Sequence, residues 1–242
     1  MLLYFKFVIF LAFASSVLGR SFFPNSMYLL AASTAKEQEQ LAPKDCSNDV
    51  PPYDFKIYTE GEKELTMSCL TVSPSLLKSP EVREMRENLF HVLKKFRAKM
   101  GFGRAIAAPQ LGYPFRMIAL HYNNTDTTLH NPVIINHSYE TFTLWDDCLS
   151  FPDKMVSVQR YKQISVQFIT EKNEVVVWND CPQDLSELLQ HEIDHLNGVL
   201  AVDKAVPPNV NKDRPDVPKP IVSREDWLKR KDFYNQFVDF HY

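Results

Sequence analysis

From Pro80 to Met100 the apolar residues Val82, Met85, Leu89, Val92, Leu93, Phe96 and Met100 recur at helical spacing, with charged residues between them. Side chains three or four positions apart share one face of a helix, so this pattern predicts an amphipathic helix whose apolar stripe serves as core scaffold. A second helix is signalled farther along. Leu185, Leu188 and Leu189 supply its stripe, Asp184 followed by Glu187 reads as a capping box, and Asn197-Gly198 reads as its stop. Between the two helices the pattern changes to short runs rich in β-branched and aromatic residues: Phe115 to Leu120, Val133 to Asn136, Met155 to Val158, Ile164 to Ile169 and Val175 to Trp178. Few of the joining segments are long enough for a crossover helix, so antiparallel pairing is expected. The predicted class is α+β, with antiparallel sheets packed around the second helix.

The ends of the chain read differently. Phe7 to Leu18 is an apolar run of signal-peptide length, too short to span a bilayer comfortably; Lys6 precedes it, and Val17-Leu18-Gly19 offers a cleavage point. Residues 1–19 are therefore predicted to be a signal peptide, with no stable membrane span after cleavage. Residues 20–52 read as a flexible or targeting segment, less acid-poor than a typical transit peptide because of Glu37, Glu39, Asp45 and Asp49. The single folded domain is expected over 53–206. Over 207–242, Pro207, Pro208, Pro215, Pro218 and Pro220 indicate an extended connector, followed by a helix from Ser223 anchored by Trp227, Phe233 and Phe237.

Composition adds limits. A chain of 242 residues, 45% hydrophobic and 12% aromatic, can bury a sizeable core, and a formal charge of -3 leaves no nucleic-acid footprint. Asn123-Asn124-Thr125 and Asn136-His137-Ser138 match glycosylation acceptors, which matters only in the secretory lumen. Cys46, Cys69 and Cys181 show no metal spacing; they read as buried thiols, with a Cys69–Cys181 disulfide as the alternative.

The chemistry begins at His191-Glu192-Ile193-Asp194-His195. On a helix, residues four apart project from one face, so His191 and His195 can bind one ion, and Glu192 beside them can take a proton from water without occupying a coordination site. Two solvated histidines on a plain helix are the bland reading. A third ligand is needed. A His six positions after His195 is ruled out, because that position is Ala201; Glu225 lies at an apparent helix start and is the weaker choice. Cys148, in Trp145-Asp146-Asp147-Cys148-Leu149-Ser150, is the better candidate, since a thiolate and two imidazoles leave a tetrahedral position open, although Cys148 alone reads as a small buried residue. A third segment, Gly103-Arg104-Ala105-Ile106-Ala107-Ala108-Pro109-Gln110-Leu111-Gly112, combines small residues with an amide that can donate to an oxygen.

In this order along the chain, the three segments resemble the Gly-x-Gly-x-Ala-Ala-x-Gln, Glu-Gly-Cys-Leu-Ser and His-Glu-x-x-His motifs of the peptide deformylases, over roughly residues 55 to 205. The resemblance implies a deformylase-like fold with Cys148, His191 and His195 as metal ligands, Glu192 as general acid/base, and the Gln110 amide with the Leu149 N–H as the oxyanion hole. It implies one divalent ion, with Fe2+ favoured over Zn2+, Ni2+ or Co2+. The substrates implied are N-formylmethionyl nascent peptides, with ribosome proximity and without direct nucleic-acid binding. Because the family serves organelle translation in eukaryotes, the resemblance together with the signal peptide suggests a plastid-type organelle reached by the secretory route, with secretion and a mitochondrion as alternatives. Asp146-Asp147 stands where the family has Glu-Gly, and Ala105 at the second Gly of the first motif. The second carboxylate, Asp147, is expected to raise the pKa of metal-bound water or to favour a positively charged substrate, and two rivals remain: an amidase for another acylated amine and an inactive metal-binding interaction protein.

Overall fold

The structure is a computed structural model that describes residues 55–208 and 216–241. The residues expected to form the signal peptide and targeting segment lie outside these. The first predicted helix is α1, Pro80–Met100. Ser79 Oγ accepts the Val82 N–H at 3.3 Å, and Pro80 sits in the first turn, where its missing N–H breaks no bond. Val82, Met85, Leu89, Val92 and Leu93 are buried, as the stripe predicts.

Among the described residues eight strands follow the pattern in part: β1 (Ala105–Ala107), β2 (Met117–Tyr122), β3 (Thr125–His137), β4 (Thr141–Asp146), β5 (Lys154–Tyr161), β6 (Ile164–Ile169), β7 (Val175–Trp178) and β8 (Ile221–Ser223). They make a five-stranded sheet, β1-β2-β3-β6-β7, and a three-stranded sheet, β4-β5-β8, with every pair antiparallel. The second predicted helix is α2, Gln183–Leu196. Its Leu185, Leu188, Leu189, Ile193 and Leu196 join Ile118, Leu120, Leu129, Ile164, Val166 and Phe168 of the large sheet in one core. A second core, with Phe142, Leu144, Val156 and Val158, forms on the small sheet and takes in Cys148. The ligand loop is thus tied to a core of its own.

Two expectations need correction. The Asp184–Glu187 capping box does not form: α2 begins at Gln183 after Pro182, with no side-chain cap. Both carboxylates are engaged elsewhere, Asp184 accepting the Tyr122 hydroxyl at 3.0 Å and the buried Glu187 pairing with Arg104. The helix from Ser223 is two short helices, α3 (Arg224–Lys229) and α4 (Lys231–Asn235); Ser223 Oγ caps α3 by accepting the Asp226 N–H at 3.1 Å. The connector before it ends in β8, which pairs Ile221, Val222 and Ser223 with Val156, Met155 and Lys154. Cys69 and Cys181 are free thiols, both packed in the large-sheet core, so the disulfide alternative is set aside.

Candidate metal centre and active site

Each motif is placed by its own piece of backbone. The first runs from β1 into a one-turn helix at Ala108–Leu111. There the Ala107 N–H donates to Gln110 Oε1 at 2.9 Å, which fixes the carboxamide so that Nε2 donates to Ser150 Oγ at 3.1 Å and lies 3.6 Å from Cys148 Sγ. Gly103, at φ +104°, precedes this segment. A Cβ there would sit 3.3 Å from Leu149 Cδ1, so the bare Cα lets the ligand loop close against it.

The second motif leaves the end of β4, where Asp146 is the last strand residue. Cys148 follows, 1% exposed, and Ser150 N–H donates to its Sγ at 3.4 Å. Asp147 is not among the positive-φ residues, so a side chain in place of the family's glycine carries no backbone strain. Its carboxylate accepts from Arg224 Nη1 at 2.8 Å. That pairing removes the reason for expecting a positively charged substrate.

The third motif lies on α2, where His191, Glu192 and His195 are all buried. Cys148 Sγ and His195 Nε2 are 3.2 Å apart, and the ligand atoms of Cys148, His191 and His195 all lie within 4.8 Å of one another. Coordination needs convergent donors of this kind, and a thiol with two imidazoles suits a borderline divalent metal. His191 Nδ1 is hydrogen-bonded to Asp146 Oδ2 at 2.9 Å, which leaves Nε2 as its open nitrogen. Asp146 in turn accepts from Arg160 Nη2 at 3.0 Å, and the buried Arg160 also pairs with Asp194, which Lys204 meets at 2.7 Å. Glu225, the weaker third-ligand choice, pairs with Lys229 at 2.6 Å in α3, outside the cluster.

The electrostatics follow from this geometry. Burial opposes ionisation of Asp146, but the imidazole of His191 and the guanidinium of Arg160 hold its carboxyl well below the usual range. Burial also disfavours the His191 cation, yet the Asp146 carboxylate and the Cys148 sulfur raise its pKa well above that of a free imidazole. His195 is pushed down, by burial first and by the charge of His191 second. Burial raises the Cys148 thiol, and it carries Glu192 up to about 7, where a carboxyl group can both take and give a proton near neutrality. Two polar atoms of this cluster, Glu192 Oε2 and His195 Nδ1, are buried without a hydrogen-bond partner. Leu149, 6% exposed, offers an N–H that makes no hydrogen bond among the described residues. A cavity of about 430 Å³ opens onto Gln110, Cys148, Leu149, His191 and Glu192.

All six residues singled out in the sequence therefore meet at one place. Sequence reasoning misses Arg160, although Val156, Val158 and Arg160 alternate along β5 and a charge continuing an apolar face is a readable signal. Asp146 stands out in the sequence only as a departure, and Arg224 has no signal, since its partner Asp147 is distant along the chain.

A buried thiol and two imidazoles around one point, with a carboxylate, the Gln110 carboxamide and the Leu149 N–H beside them, make the constellation of a mononuclear metal-dependent hydrolase. The sequence profile of the polypeptide deformylase family matches residues 55–211. Peptide deformylase of Thermotoga maritima is 32% identical over 132 residues, covering 54% of this chain and 80% of that protein. The crystal structure of the T. maritima enzyme superposes with a TM-score of 0.57 at 27% identity, covering 63% of this chain and 98% of the other. The actinonin-bound class I type b peptide deformylase of Acinetobacter baumannii superposes at 0.55 and 28% identity, with coverage of 63% and 98%. The chain belongs to the polypeptide deformylase family.

Proposed function

We propose that this protein is a peptide deformylase that hydrolyses the formyl amide of N-formylmethionyl peptides, releasing formate and a free N-terminal methionine. The observation that carries the reading is the convergence of Cys148, His191 and His195 beside Glu192. These three donors fit one divalent ion, because they are buried, mutually close and include a sulfur. When bound, the ion supplies Lewis acidity that makes water a nucleophile at neutral pH.

The chain's own residues do the rest. Glu192 accepts the proton that water releases and returns it to the departing amine nitrogen, so that the C–N bond breaks with the proton delivered where it is needed. Gln110 Nε2 and the Leu149 N–H donate to the formyl oxygen as it gains charge; each such donor is worth on the order of 10²–10³ in turnover. Asp146 keeps the imidazole of His191 in the tautomer that presents Nε2. Iron is the ion we favour for the site. Formate release from formyl-Met-Ala-Ser, compared with acetyl-Met-Ala-Ser, tests the function: rapid formate release supports it, and turnover of the acetyl peptide alone would replace it with the amidase reading. With Asp147 neutralised by Arg224, no observation favours that second reading.

Nascent chains are the proposed substrates, met near the ribosome. Among the described residues no helix is long and apolar enough to cross a membrane. For localisation we favour secretory entry to a plastid-type organelle, on the strength of the Phe7 to Leu18 run. A fluorescent fusion of residues 1 to 60 tests it, and a cytosolic signal would refute it.

A further inference from the structure

The deformylase match ends at residue 211, yet the cavity over the metal cluster is walled on one side by later residues: Arg224, Trp227, Leu228, Lys231, Asn235 and His241. This wall is built into the fold. β8 hydrogen-bonds to β5, Trp227 and Tyr234 pack with Trp145 and Met155 in a small core of their own, and the Trp145 indole N–H donates to the Tyr234 carbonyl at 3.0 Å.

Arg224 is the point at which the wall meets the ligand loop. Its Nη1 donates to Asp147 Oδ2 at 2.8 Å and lies 3.3 Å from Met155 Sδ, while its guanidinium carbon sits 3.5 Å from the ring centroid of Phe102. A planar cation can satisfy a carboxylate at its edge and an aromatic ring on its face at once, a combination that Lys cannot reproduce. One side chain thus joins the segment after α1, the loop that bears Cys148, strand β5 and the start of α3. Asp147 stands where the family pattern has glycine, and Arg224, which it receives, lies beyond the residues that the family profile matches.

The wall also presents uncovered apolar surface. Leu228 is 59% exposed although it lines the cavity, and Trp227 lies beside it. Exposed apolar surface at a cavity rim is removed from water only when a ligand covers it. Gln110, Cys148 and Glu192 line the same cavity as Leu228, so a peptide held by its formyl end at the cluster has this rim within the cavity it occupies.

We propose that α3 is a specificity wall for the residues downstream of the formyl-methionine, with Leu228 in contact with the peptide and Arg224 as the positioning residue that fastens the wall to Asp147 and Phe102. This rests on the deformylase reading above, and it selects peptides with an apolar residue after the methionine.

The test uses the full chain and three variants: Arg224→Gln, the double variant Asp147→Gly with Arg224→Gln, and Leu228→Ser. Each is assayed on formyl-Met-Leu-Ser and on the truncated formyl-Met amide, with bound metal measured in parallel. The expected result is a KM for the longer peptide raised about tenfold, a KM for the amide changed less than twofold, kcat within threefold and metal content unchanged. KM values that stay put or rise equally for both substrates overturn the proposal, as does a loss of kcat and metal together, which would make Arg224 a brace for the ligand loop alone. If Arg224→Gln fails to fold because the half-buried Asp147 is left without its cation, the double variant and Leu228→Ser decide the outcome, since neither leaves that carboxylate unpaired. If the wild type releases no formate, the deformylase reading falls by itself. The Kd of formyl-Met-Leu-Ser for wild type and Leu228→Ser, measured by calorimetry, then tests the wall: a tenfold ratio supports it and equal values overturn it.

Discussion

Asp146 and His191 are joined by a hydrogen bond of 2.9 Å between Oδ2 and Nδ1, and the same Asp146 oxygen takes a second bond from Arg160 at 3.0 Å. The imidazole is therefore aimed by a carboxylate that is itself held in place. Removing such an outer partner typically costs 10–100-fold in metal affinity. Asp146→Asn is expected to keep the fold and to weaken metal binding by that factor, measured by competition against a chromophoric chelator. Affinity equal to wild type would show that His191 is aimed by its rotamer alone.

The roles proposed for Glu192 and Cys148 separate catalysis from metal binding. Glu192→Gln is expected to retain one ion per chain while turnover falls by about 10²–10⁴, the usual worth of a positioned acid/base. Cys148→Ala removes a proposed ligand and is expected to lose the ion. Metal analysis of the two purified proteins checks both; stoichiometric metal in Cys148→Ala would remove the thiol from the ligand set.

The convergence of these residues is legible in the sequence because the His-Glu-x-x-His spacing is a helical period and α2 carries it as one. Ile164–Ile169 and Val175–Trp178 emerge with their expected bounds, since their apolar runs are short and flanked by turn residues. Strand β4 is not legible: five of the six residues of Thr141–Asp146 are buried, so no polar alternation marks it. β8 is too short for any period to show. The capping-box pattern misleads because Glu187 has a better partner in Arg104, a contact that exists only after β1 packs on α2. Arg160 and Arg224 show the general limit: a buried cation's partners are set by strand register and chain folding, not by neighbours in sequence.

His130 gives the fold a pH dependence away from the metal cluster. Its ring is 1% exposed, and burial pushes its pKa from 6.5 down to about 4, with Glu171 raising it slightly and Arg86 opposing. Unfolded chains take up a proton at this residue near pH 6.5, whereas the folded protein resists until about pH 4. The unfolded state thus binds more protons between these values. Stability from this residue is full above about pH 6.5 and is lost as pH falls toward 4, by up to about 1.4 kcal/mol per pH unit. In urea denaturation at pH 7.5 and pH 5, His130→Gln is expected to show a smaller loss of stability between the two pH values than wild type. An equal loss in both proteins would mean that His130 is protonated in the fold.

Gly198, just past the end of α2, has φ +73°, and a Cβ there would lie 2.6 Å from the carbonyl carbon and oxygen of Thr66. Both the backbone conformation and the contact exclude a side chain, because the obstacle is main chain and cannot rotate away. Gly198→Ala is expected to cost about 2 kcal/mol or more, read as a lower urea midpoint with unchanged slope. A midpoint within error of wild type would show that the Thr66 segment yields freely.

Away from β4, β5 is met by β8 at Lys154–Val156 and by Ala205 and Val206 at Ser157 and Val158, all of them made long after β5 itself. While the chain is being synthesised, the ribbon of β4 and β5 therefore leaves the ribosome with one row of backbone donors and acceptors bare. Until these later segments arrive, that edge is open to pairing with a neighbouring nascent chain, an interval of exposure to aggregation that closes only when β8 is in place.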